Sequence, residues 1–349
     1  MSPSGDQIMT RAKSGAPPAA AGLSIVVPLF NEAASLPRLH DHLIKIAQKL
    51  AAGRALACEV VYVDDGSADD TLSIARALAA TALDVQVLSL SRNFGKEAAL
   101  LAGLDHARRG AVLFMDGDGQ HPPTLIETMV GYWLDDGYDV VYTAKASRTN
   151  ESFARRIAVK IFYRLLNSDG RVKIPENAGD FRLLSPRAAS ALRQLPERNR
   201  FFKGLASWIG FRQKRIDYEP ERRAEGKSSW SLRSLIGLSL DGLTGFSVAP
   251  LRMATVLGLI FALIALIYGS QIVYETLVHG ASVPGYPSVF VGVMVLGAMQ
   301  LIMLGVLGEY VGKILYEIKA RPVYFIAEHD LKLREDAGEA STGTRTAAE

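Results

Sequence analysis

Two long stretches near the carboxyl terminus carry no charged side chain and no histidine, and they constrain the fold more than any other feature. Residues 253–274 and 281–308 contain no Asp, Glu, Lys, Arg or His. Each exceeds the ~20 residues that a helix needs to cross the hydrocarbon core of a membrane. A pair of buried helices in a soluble domain is the alternative, which the length of both stretches disfavours. The sequence therefore predicts a chain with two transmembrane helices.

The charges that flank the two stretches predict their orientation. Arg252 precedes the first stretch, and Lys313 and Lys319 follow the second. The connection between the stretches contains His279 but no Lys or Arg. Cytoplasmic flanks of membrane helices are enriched in Lys and Arg, so the connection is expected outside. We therefore expect a multi-pass protein of the inner (cytoplasmic) membrane, with both termini and the amino-terminal domain in the cytoplasm.

Short β-branched stretches alternate with helical patterns in the amino-terminal half. The predicted strands are residues 24–29, 59–63, 85–90, 111–115 and 139–143. Ala- and Leu-rich helical patterns, for example residues 32–50 and 96–108, lie between them. This alternation predicts an α/β fold with a mostly parallel sheet and helices on both faces. Ligands of such sheets bind at the carboxyl ends of the strands.

Acidic and polar loops follow three of the predicted strands. Glu32 follows the first strand, Asp64 and Asp65 follow the second, and Asp116 and Asp118 follow the fourth. Carboxylates that cluster at one sheet edge repel one another unless a cation neutralises them. Hard oxygen ligands favour Mg²⁺ or Mn²⁺, and a bound diphosphate would complete the coordination. The alternative, an ordinary Asp-Gly turn, explains one such loop better than two on the same edge.

Composition divides the chain into five parts. Interfacial amphipathic helices are expected just before the membrane, because leucines alternate there with small polar residues. The amino-terminal leader and the tail from about Leu331 are expected to be disordered. The parts are a leader (1–22), a catalytic domain (23–226), an amphipathic juxtamembrane segment (227–249), a two-helix membrane region (250–312) and a cytoplasmic segment with its tail (313–349).

A basic stretch precedes the membrane region. Between residues 198 and 233 the chain has ten Lys or Arg and four Asp or Glu. Such a stretch suits phosphates or anionic lipid head groups, and an ordinary solvated face is the alternative. No nucleic-acid partner is expected.

Six short motifs follow one another along the catalytic domain. They are VVPLFNE (26–32), VDDGS (63–67), SRNFGK (91–96), DGDGQ (116–120), NAGDFR (177–182) and RAEGKS (223–228). Together they resemble the inverting family 2 glycosyltransferases of GT-A (Rossmann-like) fold, in particular bactoprenyl-phosphate glucosyltransferases and dolichyl-phosphate mannose synthases. The resemblance covers about residues 22–325. It implies transfer of one sugar from a nucleotide-sugar donor to a polyprenyl (undecaprenyl) phosphate, with glucose from UDP-glucose as the first expectation.

The resemblance also implies roles for residues that would bind the donor. Pro28, Phe30, Glu32 and Asp65 would surround its base and ribose. Asp64 would hold the turn of the second loop.

Further roles implied by the resemblance concern the metal and the reaction centre. Asp118 and Gln120 would hold Mg²⁺ or Mn²⁺, and Asp116 would contact the metal or the ribose. Asp180 would lie near the reaction centre, either as a base or as a group that orients cations around the acceptor. A helix cap or a partner for Arg182 is the structural alternative for Asp180.

The last motif would close over the phosphates through Arg223 and Ser228. The sequence departs from the family's pattern here in two places. Ser229 stands where the family commonly has Lys, and Lys227 stands where an acidic residue is frequent. Contacts of this loop are therefore the part of the resemblance that transfers least directly.

Two other functions were weighed. A processive polysaccharide synthase of the same fold would carry a Gln-x-x-Arg-Trp motif and usually more membrane helices, and neither is present in the sequence. A catalytically inactive membrane scaffold would not need the acidic residues that the motifs retain. Glycines at 292, 297 and 305 offer small faces for helix packing, so a homo-oligomer is expected.

Overall fold

The structure, a computed structural model, describes residues 20–119, 121–145, 163–164, 167, 174–175, 178–198, 200–218, 249–279 and 285–334. The strands in these ranges are β1 (Ala20–Leu29), β2 (Ala57–Asp64), β3 (Asp84–Leu90), β4 (Arg109–Phe114), β5 (Val140–Lys145), β6 (Ala178–Leu184), β7 (Gln213–Tyr218) and β8 (Ile326–Lys332). The helices are α1 (Leu36–Arg54), α2 (Thr71–Ala77), α3 (Lys96–His106), α4 (Leu125–Leu134), α5 (Pro186–Arg193), α6 (Phe202–Trp208), α7 (Ala249–His279) and α8 (Tyr286–Ile318).

The strands form one eight-stranded sheet in the order β7-β5-β6-β4-β1-β2-β3-β8. β1 pairs in parallel with β2 and β4, β2 with β3, and β5 with β7. β6 runs antiparallel to β4 and β5, and β8 runs antiparallel to β3. The predicted α/β fold with a mostly parallel sheet is confirmed, and each of the five predicted strands overlaps one of β1 to β5.

Helices cover both faces of the sheet, as predicted. Alternate side chains of β2 point to opposite faces: Val60 and Tyr62 belong to one apolar cluster, and Val61 and Val63 to the other. The first cluster includes residues of α1 and α4, and the second includes residues of α3, α5 and α6. A sheet buried on both faces places its strand ends, rather than its faces, in reach of ligands.

The first helix shows how the sequence pattern determines the element. Its buried residues include Leu36, Leu39, Leu43, Ile46 and Leu50, which recur every three or four positions. The helix begins at Leu36 rather than at residue 32, because the backbone of the preceding loop bonds instead to the side chains of Asp69 and Thr71 at the start of α2.

The two long apolar helices confirm the predicted helical stretches. Residues Leu251–Glu275 of α7 and Val291–Ile318 of α8 are long and apolar enough to cross a membrane, with mean hydropathy of 2.3 and 2.2. None of the residues in their most apolar windows is buried within the protein, so neither helix has the packing of a soluble core helix. The amphipathic segment predicted at 227–249 lies almost entirely outside the described residues.

The chain returns to the sheet after α8. The Arg198 backbone N–H donates to the Glu317 carboxylate near the end of α8, at 3.0 and 3.1 Å. The Arg198 guanidinium donates to the carbonyls of Ala320 and Arg321. β8 then pairs with β3, and the Ser91 N–H donates to the Phe325 carbonyl at 2.9 Å.

Strand β8 is not among the strands predicted from the sequence. Two boundaries need correction: β1 begins at Ala20, within the expected leader, and β8 includes Leu331 and Lys332, which were expected to begin the tail. β8 is polar and partly exposed, so it lacks the apolar alternation that identifies a strand. Backbone pairing with β3 holds this strand in the sheet, and Arg76 adds ion pairs with Glu328 and Asp330.

Candidate active site

Hydrogen bonds join the loops that follow β1 and β2. The Asn31 N–H donates to Ser67 Oγ at 3.0 Å, and Asn31 Oδ1 accepts from the Ala68 N–H at 2.9 Å. The Glu32 N–H donates to Thr71 Oγ1 at 2.8 Å. Glu32 is therefore held at the carboxyl end of the sheet beside the second acidic loop, where the sequence placed it.

Asp65 joins the second loop to the loop before α3. Its carboxylate is buried and accepts from the backbone N–H groups of Phe94 at 2.7 Å and Gly95 at 2.9 Å. Burial raises the pKa of Asp65, although the two N–H groups oppose this shift. Gly66 has a positive φ of 73°, and a Cβ there would lie 2.8 Å from the Asn93 nitrogen. The close approach of the two loops therefore requires glycine at this position.

The other residues predicted to bind the donor lie around the same loops. Asp64 is buried, and its carboxylate accepts from the Ser67 N–H at 3.4 Å, so it closes the turn. Pro28 is partly exposed, and Phe30 keeps 49% of its surface exposed beyond the end of β1. An exposed aromatic ring at a strand end offers a face for stacking.

The loop after β4 lies against the end of β1. A Cβ at Gly117 would lie 2.8 Å from Leu29 Cδ2 and 3.3 Å from the Pro28 carbonyl oxygen, so the loop lies close against the end of β1. Ser35 Oγ lies 2.9 Å from both the Gly117 carbonyl oxygen and Glu32 Oε2. Asp118 is partly exposed and lines a cleft of about 830 Å³ whose opposite wall is α1. Asp118 is thus accessible to a ligand.

The sheet register brings Asp180 to Asp116. Phe114 of β4 lies opposite Arg182 of the antiparallel strand β6. Continuing that register places Asp116 beside Asp180, which explains how a residue far along the chain reaches the acidic loops. Lys96 lies between the two carboxylates, and its Nζ is 2.6 Å from Asp116 Oδ1 and 2.6 Å from Asp180 Oδ2. One ammonium group therefore connects the loop after β4 with strand β6.

A second lysine contacts the other oxygen of Asp180. Lys203 Nζ lies 3.5 Å from Asp180 Oδ1, which has no hydrogen-bond partner among the described residues. Burial alone would raise the pKa of Asp180, but the ammonium groups of Lys96 and Lys203 hold it well below its usual range. An Asp180 carboxylate in this setting is ionised at neutral pH.

Lys203 lies in the first turn of α6. Hydrogen bonds to both backbone groups of the preceding residue, Phe202, hold this turn in place. The Phe202 N–H donates to Glu97 Oε2 at 3.1 Å, and the Phe202 carbonyl accepts from Arg182 at 3.4 Å. Burial and the neighbouring Asp180 charge raise the pKa of Glu97 to about 7.

His121 supports the Asp116 backbone. Its ring stacks on Phe181 with centroids 4.9 Å apart, and its Nδ1 lies 3.3 Å from the Asp116 nitrogen. Burial lowers the pKa of His121, so the neutral ring can accept the Asp116 N–H. The Tyr218 ring also lies near His121, with centroids 5.9 Å apart and the two planes tilted by 56°.

Four of these residues had no role in the sequence analysis: Lys96, Glu97, His121 and Lys203. Lys96 lies in the SRNFGK motif and His121 directly follows the DGDGQ motif, so proximity to a motif was the available signal. Lys203 was counted only in the basic stretch. Gln120, Arg223 and Ser228 lie outside the described residues. Among the described residues, no group of three or more His, Cys, Asp or Glu is arranged to hold a metal ion.

Comparison with known proteins identifies the class of enzyme. Residues 24–193 match the family model "Glycosyl transferase family 2". The chain is 41% identical over 306 residues to an uncharacterized glycosyltransferase of Synechocystis sp., covering 88% of this chain and 95% of that protein. The chain belongs to glycosyltransferase family 2, and the resemblance predicted from its motifs is confirmed.

The relatives include proteins with a more specific name. A prophage-derived bactoprenol glucosyl transferase of Shigella flexneri is 41% identical over 304 residues, covering 87% of this chain and 97% of that protein. Among solved structures, mannosyl-3-phosphoglycerate synthase of Rubrobacter xylanophilus matches with 18% identity and a TM-score of 0.42, covering 68% of this chain and 75% of that one.

Proposed function

We propose that the enzyme transfers one sugar, with inversion, from a nucleotide-sugar to a polyprenyl phosphate at the cytoplasmic face of the membrane. Glucose from UDP-glucose is the proposed donor. The observation that supports this most is the cluster of Asp116, Lys96 and Asp180 at the carboxyl end of the sheet. The relatives named bactoprenol glucosyl transferases, which this chain matches over most of its length, support the choice of sugar and acceptor.

The donor nucleotide would occupy the loops after β1, β2 and β3. Phe30 would stack on the base, and Pro28 would lie beside it. Glu32 and Asp65 would bind the base and ribose, with Asp64 holding the turn. The position of Asp65 supports this role, because its two bonds to backbone N–H groups hold the loop between β3 and α3 beside the proposed nucleotide site.

The acidic loop after β4 fits a divalent cation shared with a diphosphate. Asp116 and Asp118 supply two carboxylates, and Lys96 contacts one oxygen of Asp116. Mg²⁺ commonly binds to one or two protein carboxylates and completes its shell with substrate phosphates and water. Asp116, Asp118 and Gln120 would hold Mg²⁺ or Mn²⁺. When bound, the metal would stabilise the charge that develops on the leaving diphosphate.

The acceptor's chemistry determines what the protein must supply. A phosphate monoester carries an anionic oxygen at neutral pH, so it can attack the anomeric carbon without first losing a proton. The bond from that carbon to the diphosphate breaks as the new bond forms, and attack from the opposite side inverts the centre. Arg223 and Ser228 would close over the diphosphate and stabilise its charge.

The membrane helices would anchor this site at the cytoplasmic face. We expect a reporter that is active only outside the membrane to be silent at either terminus and active when inserted at Gly285, which precedes α8. The reason is that Lys and Arg flank the pair of helices at its two ends, whereas the connection between the helices contains neither. An external signal from a carboxyl-terminal fusion would contradict this orientation.

The product distinguishes this function from its alternatives. Membranes that contain the protein, incubated with labelled UDP-glucose and a polyprenyl phosphate, should yield a lipid with one hexose and one phosphate by mass spectrometry. A polymer would indicate a processive synthase, and a lipid diphosphate sugar would indicate another reaction class. If no nucleotide-sugar from a full panel gave any product, the scaffold function would be favoured. Membranes without the protein are the control.

A further inference from the structure

Asp180 lies between two ammonium groups that come from different helices. Lys96 begins α3 and contacts one oxygen, and Lys203 lies in the first turn of α6 and contacts the other. The Asp180 side chain is 19% exposed, whereas those of Lys96 and Lys203 are 41% and 27% exposed. The two lysine side chains are therefore more exposed than the carboxylate between them.

This arrangement leaves hydrogen-bonding capacity unused at Lys203. Lys96 has close contacts with two carboxylates, those of Asp116 and Asp180, whereas Lys203 makes a longer contact with Asp180. At 3.5 Å, Lys203 is too far from Asp180 Oδ1 for a good hydrogen bond, and that oxygen has no hydrogen-bond partner among the described residues. Lys203 therefore has donors left for an anionic ligand.

Lys203 also lies on the side of the site that is tied to the membrane helices. Arg198, five positions before it in the chain, bonds to Glu317 near the end of α8 and to the two carbonyls that follow the helix. Phe202, held by Glu97 and Arg182, fixes the turn that presents Lys203. A phosphate on a lipid would approach the site from the membrane side, whereas the proposed donor loops lie around Asp65.

We propose that Lys96 and Lys203 form the subsite for the terminal phosphate of the lipid acceptor, and that Asp180 is a positioning residue that holds the two ammonium groups apart. This inference rests on the proposed function. The lysines would bind two phosphate oxygens and leave a third free to attack the anomeric carbon. That oxygen forms the new bond as the bond to the diphosphate breaks, so no proton passes to Asp180.

The test is a kinetic comparison in the full-length protein. Lys203→Met should raise KM for a short-chain polyprenyl phosphate about 10- to 100-fold, the loss of one hydrogen bond to a charged group. KM for the nucleotide-sugar and slow donor hydrolysis without lipid should change less than about twofold. Lys203→Arg should recover part of the lipid KM. Lys214→Met is the matched control, since that side chain packs on Tyr132 outside the site.

Asp180→Asn separates positioning from base catalysis. Loss of positioning should raise the lipid KM more than it lowers kcat, whereas loss of a base should lower kcat with an unchanged lipid KM. The inference is overturned if Lys203→Met lowers kcat alone, or raises the donor KM as much as the lipid KM. If Lys203→Met does not fold, Lys203→Gln carries the same expectation. Failure of the wild-type enzyme to use any polyprenyl phosphate would instead reject the proposed function.

Discussion

Asp118→Asn should lower kcat by about 100- to 1,000-fold while the protein remains folded. The substitution removes one anionic ligand at constant size, and loss of a group that stabilises a leaving charge typically has an effect of this order. Asp118 is partly exposed, so the substitution should not disturb the core. Turnover with saturating donor and acceptor is the measurement.

The control for this substitution is Asp136→Asn, an exposed aspartate at the far end of α4. Its turnover should equal that of the wild type. Chelation of divalent cations should reproduce the Asp118→Asn loss in the wild type, and added Mg²⁺ or Mn²⁺ should reverse it. Full activity in the presence of a chelator would show that the two carboxylates act without a metal.

Asp65→Asn should weaken binding of the free nucleoside diphosphate by about 10- to 100-fold. The amide replaces an acceptor with a donor that faces the backbone N–H groups of Phe94 and Gly95, so at least one of these buried bonds is lost. The connection between this loop and the end of β2 is then weakened. Titration calorimetry with UDP measures the effect directly.

Asp70→Asn is the control for Asp65→Asn. Asp70 is exposed, precedes α2 and makes no side-chain capping bond to that helix. UDP affinity should be unchanged in this variant. Equal UDP affinity of Asp65→Asn and the wild type would mean that the β2 loop does not form the donor site.

The parts of the fold that sequence could predict depend on short-range patterns. β1 to β5 are apolar stretches between turn residues, and the acidic residues that follow β2 and β4 reach the same edge because those strands are parallel. The two long apolar helices could be predicted because stretches of such length without charged residues leave few alternatives. The apolar pattern of the strands and their parallel direction were together sufficient to predict that Asp65 and Asp116 lie at the same edge of the sheet.

Strand order and side-chain pairing could not be predicted in the same way. β6 enters the sheet between β4 and β5 in the reverse direction, and only that insertion brings Asp180 beside Asp116. The contacts of Lys96 and Lys203 with Asp180 depend on three elements distant in sequence. Edge strand β8 is polar, and its pairing partner β3 lies more than 230 residues earlier in the chain.

The two edge strands of the sheet also restrict how a soluble catalytic domain can be engineered. The chain leaves the sheet at edge strand β7, passes through α7 and α8, and returns as the opposite edge strand β8. Truncation before the membrane would remove β8 and leave the N–H and C=O groups of β3 as an open template for aggregation. A soluble version must keep residues 319–334 and connect them through a linker. Seven strand spacings of ~4.8 Å give a span of roughly 34 Å, so a flexible Gly/Ser linker needs about 40 residues.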